Sequence, residues 1–218
     1  MSLSTVTTTR SSWIAELVET RRLQISGQLD QHGKAELGQF FTPIHVARLV
    51  AAKFGPIRGD VRLLDAGAGI GSLTAAFVER ILEEPGGVTS CELVAYEVDP
   101  NLTQPLQQCL EECCRALSDC GIPTSHQVHV TSFINTAKQL QPTFFAEPVH
   151  SYTHAILNPP YKKILSSSAI RKTLSAAGLE TSNLYSAFVW LALLQLRTKG
   201  ELAAITPRSF CNGPYFKP

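Results

Sequence analysis

From Val61 onward the chain alternates short apolar runs with longer segments of helical period, and this alternation constrains the fold more than any other feature. Val61–Leu64, Glu92–Glu97, Gln127–Val130, His154–Leu157 and Glu201–Ile205 read as five strands. Between them Ser72–Glu83 reads as a helix with Leu73, Ala76, Phe77 and Ile81 inward, and Asn101–Cys120 as a second long helix. Leu184–Leu196 is apolar nearly all round, which predicts a buried helix. Pro85-Gly86-Gly87 and Gly121-Ile122-Pro123 punctuate the pattern. Strands alternating with helices imply an α/β fold, a mostly parallel sheet with right-handed crossovers and helices on both faces. Such sheets bind ligands outside the carboxyl ends of their strands. Loops 65–71, 97–99, 131–133 and 158–161 all follow strand ends, so they are expected along one rim.

Upstream, residues 11–31 read as a helix with Trp13, Ile14, Leu17, Val18 and Leu23 on one face. Pro43 suits the first turn of a helix running to about Phe54, striped by Ile44, Ala47, Val50 and Ala51. Residues 135–150 hold a short helix and a Pro-containing loop, and Lys162–Ser182 reads as a mobile segment with one or two helical turns at most. Pro218 comes barely past the fifth strand, so the sequence reads as part of a longer protein.

Asn158-Pro159-Pro160-Tyr161 closes the fourth strand. Proline fixes φ and removes a backbone donor, and Pro160 restricts Pro159 to extended geometry. The turn therefore holds its carbonyls in place. Asn158 and those carbonyls are acceptors for an exocyclic amino group, and Tyr161 offers a face to a flat ring. The residue types point to a site for an amine on a planar base.

Asp65-x-Gly67-x-Gly69-x-Gly71 follows the first strand and opens a helix, a turn in which the backbone can approach a ligand closely. A dinucleotide fingerprint spaces its third glycine one residue later, and Asp65 would oppose a pyrophosphate. It suits the cationic amino group of a methionine moiety, and Glu97 at the next strand end suits two ribose hydroxyls.

With these motifs in this order, the chain resembles the γ-class DNA adenine-N6 methyltransferases of restriction–modification systems, from about Gly38 to Phe210. Gly38-Gln39-Phe40-Phe41-Thr42-Pro43 resembles their N-terminal cofactor motif, Asp65–Gly71 the glycine loop, and Tyr96-Glu97-Val98-Asp99-Pro100 the ribose-binding strand end. Asn183–Phe188 and Gly200–Pro207 resemble the later helix and strand. The resemblance implies a Rossmann-like class I fold and S-adenosylmethionine as cofactor. Phe41 and Thr42 would hold the methionine carboxylate. Gly67, Ala68 and Gly69 would let the backbone approach the cofactor, with Asp65 near its amino group. Glu97 would hold the ribose, and Val98 and Phe133 would sandwich the adenine. Asn158 and the Pro159 carbonyl would accept from the N6 of a flipped adenine, with Pro160 rigidifying the turn and Tyr161 stacking. Ser132 stands where the family often has an acidic residue, and a hydroxyl accepts more weakly than a carboxylate. The implied organisation is an N-terminal helical extension over 1–36 and a catalytic domain over 37–218. The last strands and a target-recognition domain are absent from this chain, and double-stranded DNA is the partner through that further domain.

Other features narrow the class. Net charge is +1, which neither demands nor excludes nucleic acid. With 44% hydrophobic and 17% charged residues the chain can bury a real core. No apolar run approaches the roughly 20 residues that span a bilayer, and the Ser/Thr-rich start lacks a secretory h-region, so a cytoplasmic protein without a membrane partner is expected. Cys91, Cys109, Cys113, Cys114, Cys120 and Cys211 lack zinc spacing and read as free thiols, and no metal is expected. The six histidines are scattered, which fits structural or surface roles. Trp190 is expected in the core, and one of Phe40 and Phe41 in the cofactor cleft. Lys162, Lys163, Arg171 and Lys172 could touch phosphate or lie on a solvated loop. The alternatives are methylation of a protein glutamine or an RNA base, and a non-catalytic subunit that keeps the fold.

Overall fold

The computed structural model describes residues 13–28, 41–140 and 151–208. The ends of the first expected helix, Gly38-Gln39-Phe40, residues 141–150, His32 and Cys211 lie outside the described residues. Five strands form one sheet: β1 (Gly59–Ala66), β2 (Val88–Glu97), β3 (Thr124–Val130), β4 (Tyr152–Leu157) and β5 (Leu196–Ala204). Their order is β3-β2-β1-β4-β5, and every pairing is parallel. The order reverses between β1 and β4, which makes that junction the place where a crevice opens. Each strand begins before its apolar run, because backbone pairing continues past the residues that need burial. β5 is irregular at its start: Tyr152 pairs with Leu196, but His154 pairs with Glu201, and Lys199 sits at φ 67° in the bulge between.

Successive residues of a strand serve opposite faces. Leu63 and Leu93 join one core, Leu64 and Val94 the other, so the middle of each strand carries consecutive apolar residues. The first face is covered by α1 (Trp13–Gln28), α2 (Ile44–Ala51), α3 (Ser72–Glu83) and α4 (Thr103–Asp119). α1 docks through Ile14, Ala15 and Val18, with Arg21 Nη1 donating to Glu112 Oε2 on α4 at 2.8 Å. Trp13 and Leu23, expected on that inward face, are exposed instead, because the narrow Ile14–Val18 stripe makes the contact. α2 ends before Phe54, in turns where Lys53 N donates to Val50 O and Phe54 N to Ala51 O.

The second face carries a 3₁₀ turn (Phe133–Lys138), α5 (Ala169–Ala176) and α6 (Leu184–Gln195). Here one expectation is overturned. α6 is not buried all round: Tyr185, Ala187, Phe188, Leu191 and Ala192 pack inward, while Trp190 is 54% and Leu193 50% exposed. Trp190 is therefore not a core residue. The helix buries the side that meets the sheet and the 3₁₀ turn, and its apolar outer face is exposed among the described residues. Within those residues no helix is long and apolar enough to cross a membrane, and no cluster of His, Cys, Asp or Glu is placed to hold a metal ion.

Candidate active site

The glycine loop leaves β1 and turns under β2, with Gly67 N and Ala68 N both donating to Tyr96 O at 2.9 and 3.0 Å. Gly67 and Gly69 have φ of 80° and 59°, values that disfavour any side chain. A Cβ at Gly67 would project to 3.6 Å from the Phe188 ring, and one at Gly69 to 3.5 Å from the Phe41 ring. The loop backbone therefore lies close against both aromatic rings, with about the depth of one carbon between.

Glu97 fixes that loop to the end of β2. Its Oε2 accepts from Gly69 N at 2.8 Å, and its Oε1 accepts from Val98 N and Asp99 N, each at 2.8 Å. Burial pushes its pKa up, opposed by these three backbone donors. Asp99 in turn accepts from Asn101 N at 2.9 Å and starts the Pro100–Leu102 turn.

Asn158, at the end of β4, is held by side chains. Its Nδ2 donates to Thr42 Oγ1 at 3.0 Å, and its Oδ1 accepts from Tyr161 Oη at 3.0 Å. Tyr161 Oη also lies 3.0 Å from the Ile205 carbonyl, just past β5. Burial raises the Tyr161 pKa, so the phenol is a neutral donor.

These groups surround one cavity of about 320 Å³ at the carboxyl ends of β1, β2 and β4. Phe41, Thr42, Gly67, Ala68, Gly69, Glu97, Val98, Ser132 and Phe133 line it, together with Asn158, Pro159, Pro160 and Tyr161. Of the catalytic and cofactor residues expected from sequence, Asp65 alone does not line it. Asp65 is wholly buried behind the loop, where its Oδ2 accepts from Thr74 Oγ1 at 2.7 Å and its Oδ1 has no hydrogen-bond partner. Burial, aided by the charge of Glu97 and opposed by Thr74, pushes its pKa up to about 7.

The cavity wall also contains Tyr96, Ile170, Leu184 and Phe188, which sequence reasoning did not select. Phe188 could have been found, because Leu184 and Phe188 share one face of a helix at i, i+4 spacing. Ile170 could not. It reaches the cavity because segment 162–184 is pinned at its base by Ile164 N to Ser182 O and Leu184 N to Lys162 O, both 2.8 Å, and carries α5 over the opening. Arg171 is engaged inside this segment, with Glu180 Oε2 at 2.8 Å and the Thr181 carbonyl, and is not placed as a free phosphate contact. Lys162 lines the cavity.

The cysteines do not contribute: Cys91, Cys109 and Cys113 are buried free thiols, Cys114 is half-buried and Cys120 exposed. His154 is a buried packing residue between the Phe54 and Phe77 rings, and burial lowers its pKa.

No protein-family model matches the chain. Among curated proteins it is 43% identical over 208 residues to the Type II methyltransferase M.BsuBI of Bacillus subtilis, covering 94% of this chain and 40% of that protein. It is 40% identical over 200 residues to the Type II methyltransferase M.PstI of Providencia stuartii, covering 92% of this chain and 39% of that protein. The chain thus spans about two fifths of the length of these relatives. Among solved structures, a Listeria monocytogenes protein described as a class I S-adenosylmethionine-dependent methyltransferase superposes with a TM-score of 0.63 at 16% identity, over 94% of this chain and 57% of that one. The methyltransferase subunit of a type I restriction–modification system from Streptococcus thermophilus gives 0.50 at 21% identity, over 78% and 35%. The fold is that of the class I methyltransferases.

Proposed function

We propose, from the homology of this chain to the Type II methyltransferases along nearly its whole length, that it forms the catalytic part of a DNA methyltransferase acting on N6 of an adenine turned out of the duplex. One observation carries the reading: the Asn158 amide and the backbone of Gly69 face the same cavity, so a methyl donor and a planar amine can meet there. S-adenosylmethionine, when bound, supplies an electrophilic sulfonium methyl.

The residues present suit that group. Gly67 and Gly69 carry no side chain where they border the cavity, so the loop backbone itself forms that part of its wall. Asp65, buried behind the loop and accepting from Thr74, braces the loop from below and is not placed to meet the cationic amino group. Glu97 borders the cavity at the strand end where a ribose would lie, held there by three backbone donors. Val98 and Phe133 flank a ring, and Phe41 and Thr42 border the opposite end of the cavity.

The amine of adenine is a weak nucleophile because its lone pair is delocalised into the ring. Asn158 Oδ1 and the Pro159 carbonyl accept its hydrogens, favour a pyramidal nitrogen and stabilise the positive charge that develops on it. The contribution is positioning and preorganised electrostatics, with no strong base needed. Phe188, Leu184 and Ile170 give this part of the cavity an apolar wall. A Tyr161 ring stacked on the base offsets part of the few kcal/mol lost when it leaves the duplex. DNA is gripped mainly by protein outside this chain.

The test is direct. Calorimetry should detect S-adenosylmethionine binding, and labelled methyl should pass to adenine in duplex DNA and not to a glutamine-bearing protein or an RNA. Transfer to the protein or the RNA instead would replace the reading. Undetectable cofactor binding would make the chain a non-catalytic subunit.

A further inference from the structure

We propose, resting on the reading of this site as one where Asn158 accepts from an amine, that Glu19 is a positioning residue for the reaction: from α1 it fixes the start of α2, and through Thr42 the angle of the Asn158 amide. α2 opens without a cap of its own. Its N-cap is Pro43, whose side chain accepts no hydrogen bond, and the Pro43 carbonyl serves Val46 N and Ala47 N, both at 3.0 Å. The first N–H of the helix, that of Ile44, is met from another helix, where Glu19 Oε2 accepts it at 3.2 Å. A helix start usually finds such an acceptor in the adjoining few residues, and here it comes from 25 positions upstream. A carboxylate in this place also faces the positive end of the α2 dipole.

Arg22 holds Glu19 in that pose, with Nε on Oε2 at 2.8 Å and Nη2 on Oε1 at 2.7 Å. This pairing keeps the Glu19 carboxyl below its ordinary range, so it is charged at neutral pH. The link from Ile44 to the site is short and stiff. Pro43 has φ −60° and ψ 148°. A proline fixes its own φ and keeps the residue before it out of helical geometry. That residue is Thr42, which is buried and whose Oγ1 accepts from Asn158 Nδ2 at 3.0 Å. A shift at Ile44 therefore moves the Thr42 hydroxyl, and the Asn158 amide turns with it, carrying Oδ1 off the line of the amine. α1 does not depend on Glu19 for its docking. Ile14, Ala15 and Val18 sit in the core, Arg21 pairs with Glu112, and Arg48 of α2 pairs with both Glu16 and Glu79. Removing Glu19 loosens one joint and leaves the helices in place.

Steady-state methyl transfer to adenine-containing duplex DNA is measured in the complete polypeptide as the cell makes it, with melting temperature as the check on folding. Glu19→Ala is expected to lower kcat at saturating DNA and S-adenosylmethionine by about 3- to 5-fold. Glu19→Gln keeps an oxygen for Ile44 N and is expected to hold kcat near wild type. The decisive protein combines Glu19→Ala with Thr42→Val. A residue acting through the Thr42 hydroxyl adds nothing once that hydroxyl is gone, so the double variant should be no slower than Thr42→Val alone. Factors that multiply overturn the proposal, because Glu19 then acts on the fold at large. An unchanged kcat in Glu19→Ala overturns it, as does a Gln variant as slow as the Ala one. A Glu19→Ala protein that does not fold overturns it too, since the joint then carries stability and not position. If the wild-type protein binds S-adenosylmethionine and methylates no DNA, the reading of the site fails and the role of Glu19 with it. If it methylates DNA and the factors multiply, only the role of Glu19 fails.

Discussion

Glu97 at the end of β2 accepts from three backbone N–H groups, whereas Asn158 at the end of β4 is held by the hydroxyls of Thr42 and Tyr161. The two walls of one cavity are thus built from different bonds. A backbone N–H cannot turn away without unfolding its loop, so the Glu97 wall has a single arrangement. A hydroxyl rotates and a tyrosine swings, so the Asn158 wall can exchange partners with a ligand. A ligand bound in the same way at every turnover suits the first wall, and a base that must enter and leave suits the second.

Asn158→Ala should separate the walls most sharply. Methyl transfer should fall by about 10³-fold, the upper range for removing an oriented transition-state acceptor, while S-adenosylmethionine affinity and melting temperature stay near wild type. If calorimetry showed cofactor binding lost as well, the walls would not be independent. Glu97→Ala should do the reverse: three backbone donors lose their acceptor, stability falls by about 2–3 kcal/mol in denaturant titration, and cofactor affinity falls with it. A stable Glu97→Ala protein would show that water can replace the carboxylate and that the wall is less rigid than its bonds imply.

Asp65 lies behind the backbone wall and tests its dryness. Its pKa of about 7 exceeds the unfolded value near 4, so the native state keeps a proton that the unfolded chain releases. That stabilisation is fully present below about pH 4 and is lost as pH rises through about 7. Asp65→Asn has no such titration. Its melting temperature relative to wild type should therefore climb steadily across that window, and a flat difference would place water beside the carboxyl. The smallest effect belongs to Thr42→Val, which removes the anchor of the Asn158 amide. It should lower kcat by about 5-fold, one hydrogen bond's worth, with little change in stability.

Residues carrying local signals were legible without coordinates. The glycine loop, Glu97 and Asn158-Pro159-Pro160-Tyr161 all sit where strand ends place them, and the helix Ser72–Glu83 has the bounds its periodicity implies. Where burial depends on what lies alongside, local pattern misled. α6 is apolar on every side, yet Trp190 faces outward, because composition states what a helix can bury and not how many neighbours it has. Asp65 has the residue type for a ligand contact, yet its carboxylate turns to Thr74, nine residues on, since the first turn of α3 returns beneath the loop.

The sequence by itself determined the parallel sheet, the rim where its chemistry gathers and the residue types that meet there, because period, turn chemistry and strand-end position are properties of a few consecutive residues. Only the tertiary structure decided which of those residues touch. Thr42 and Asn158 are 116 positions apart, and Tyr161 and Ile205 are 44 apart. Contacts at such separations follow from the order β3-β2-β1-β4-β5 and the packing of α2 and α6 against it. Those are long-range outcomes of burying two faces at once, and no local stretch of sequence encodes them.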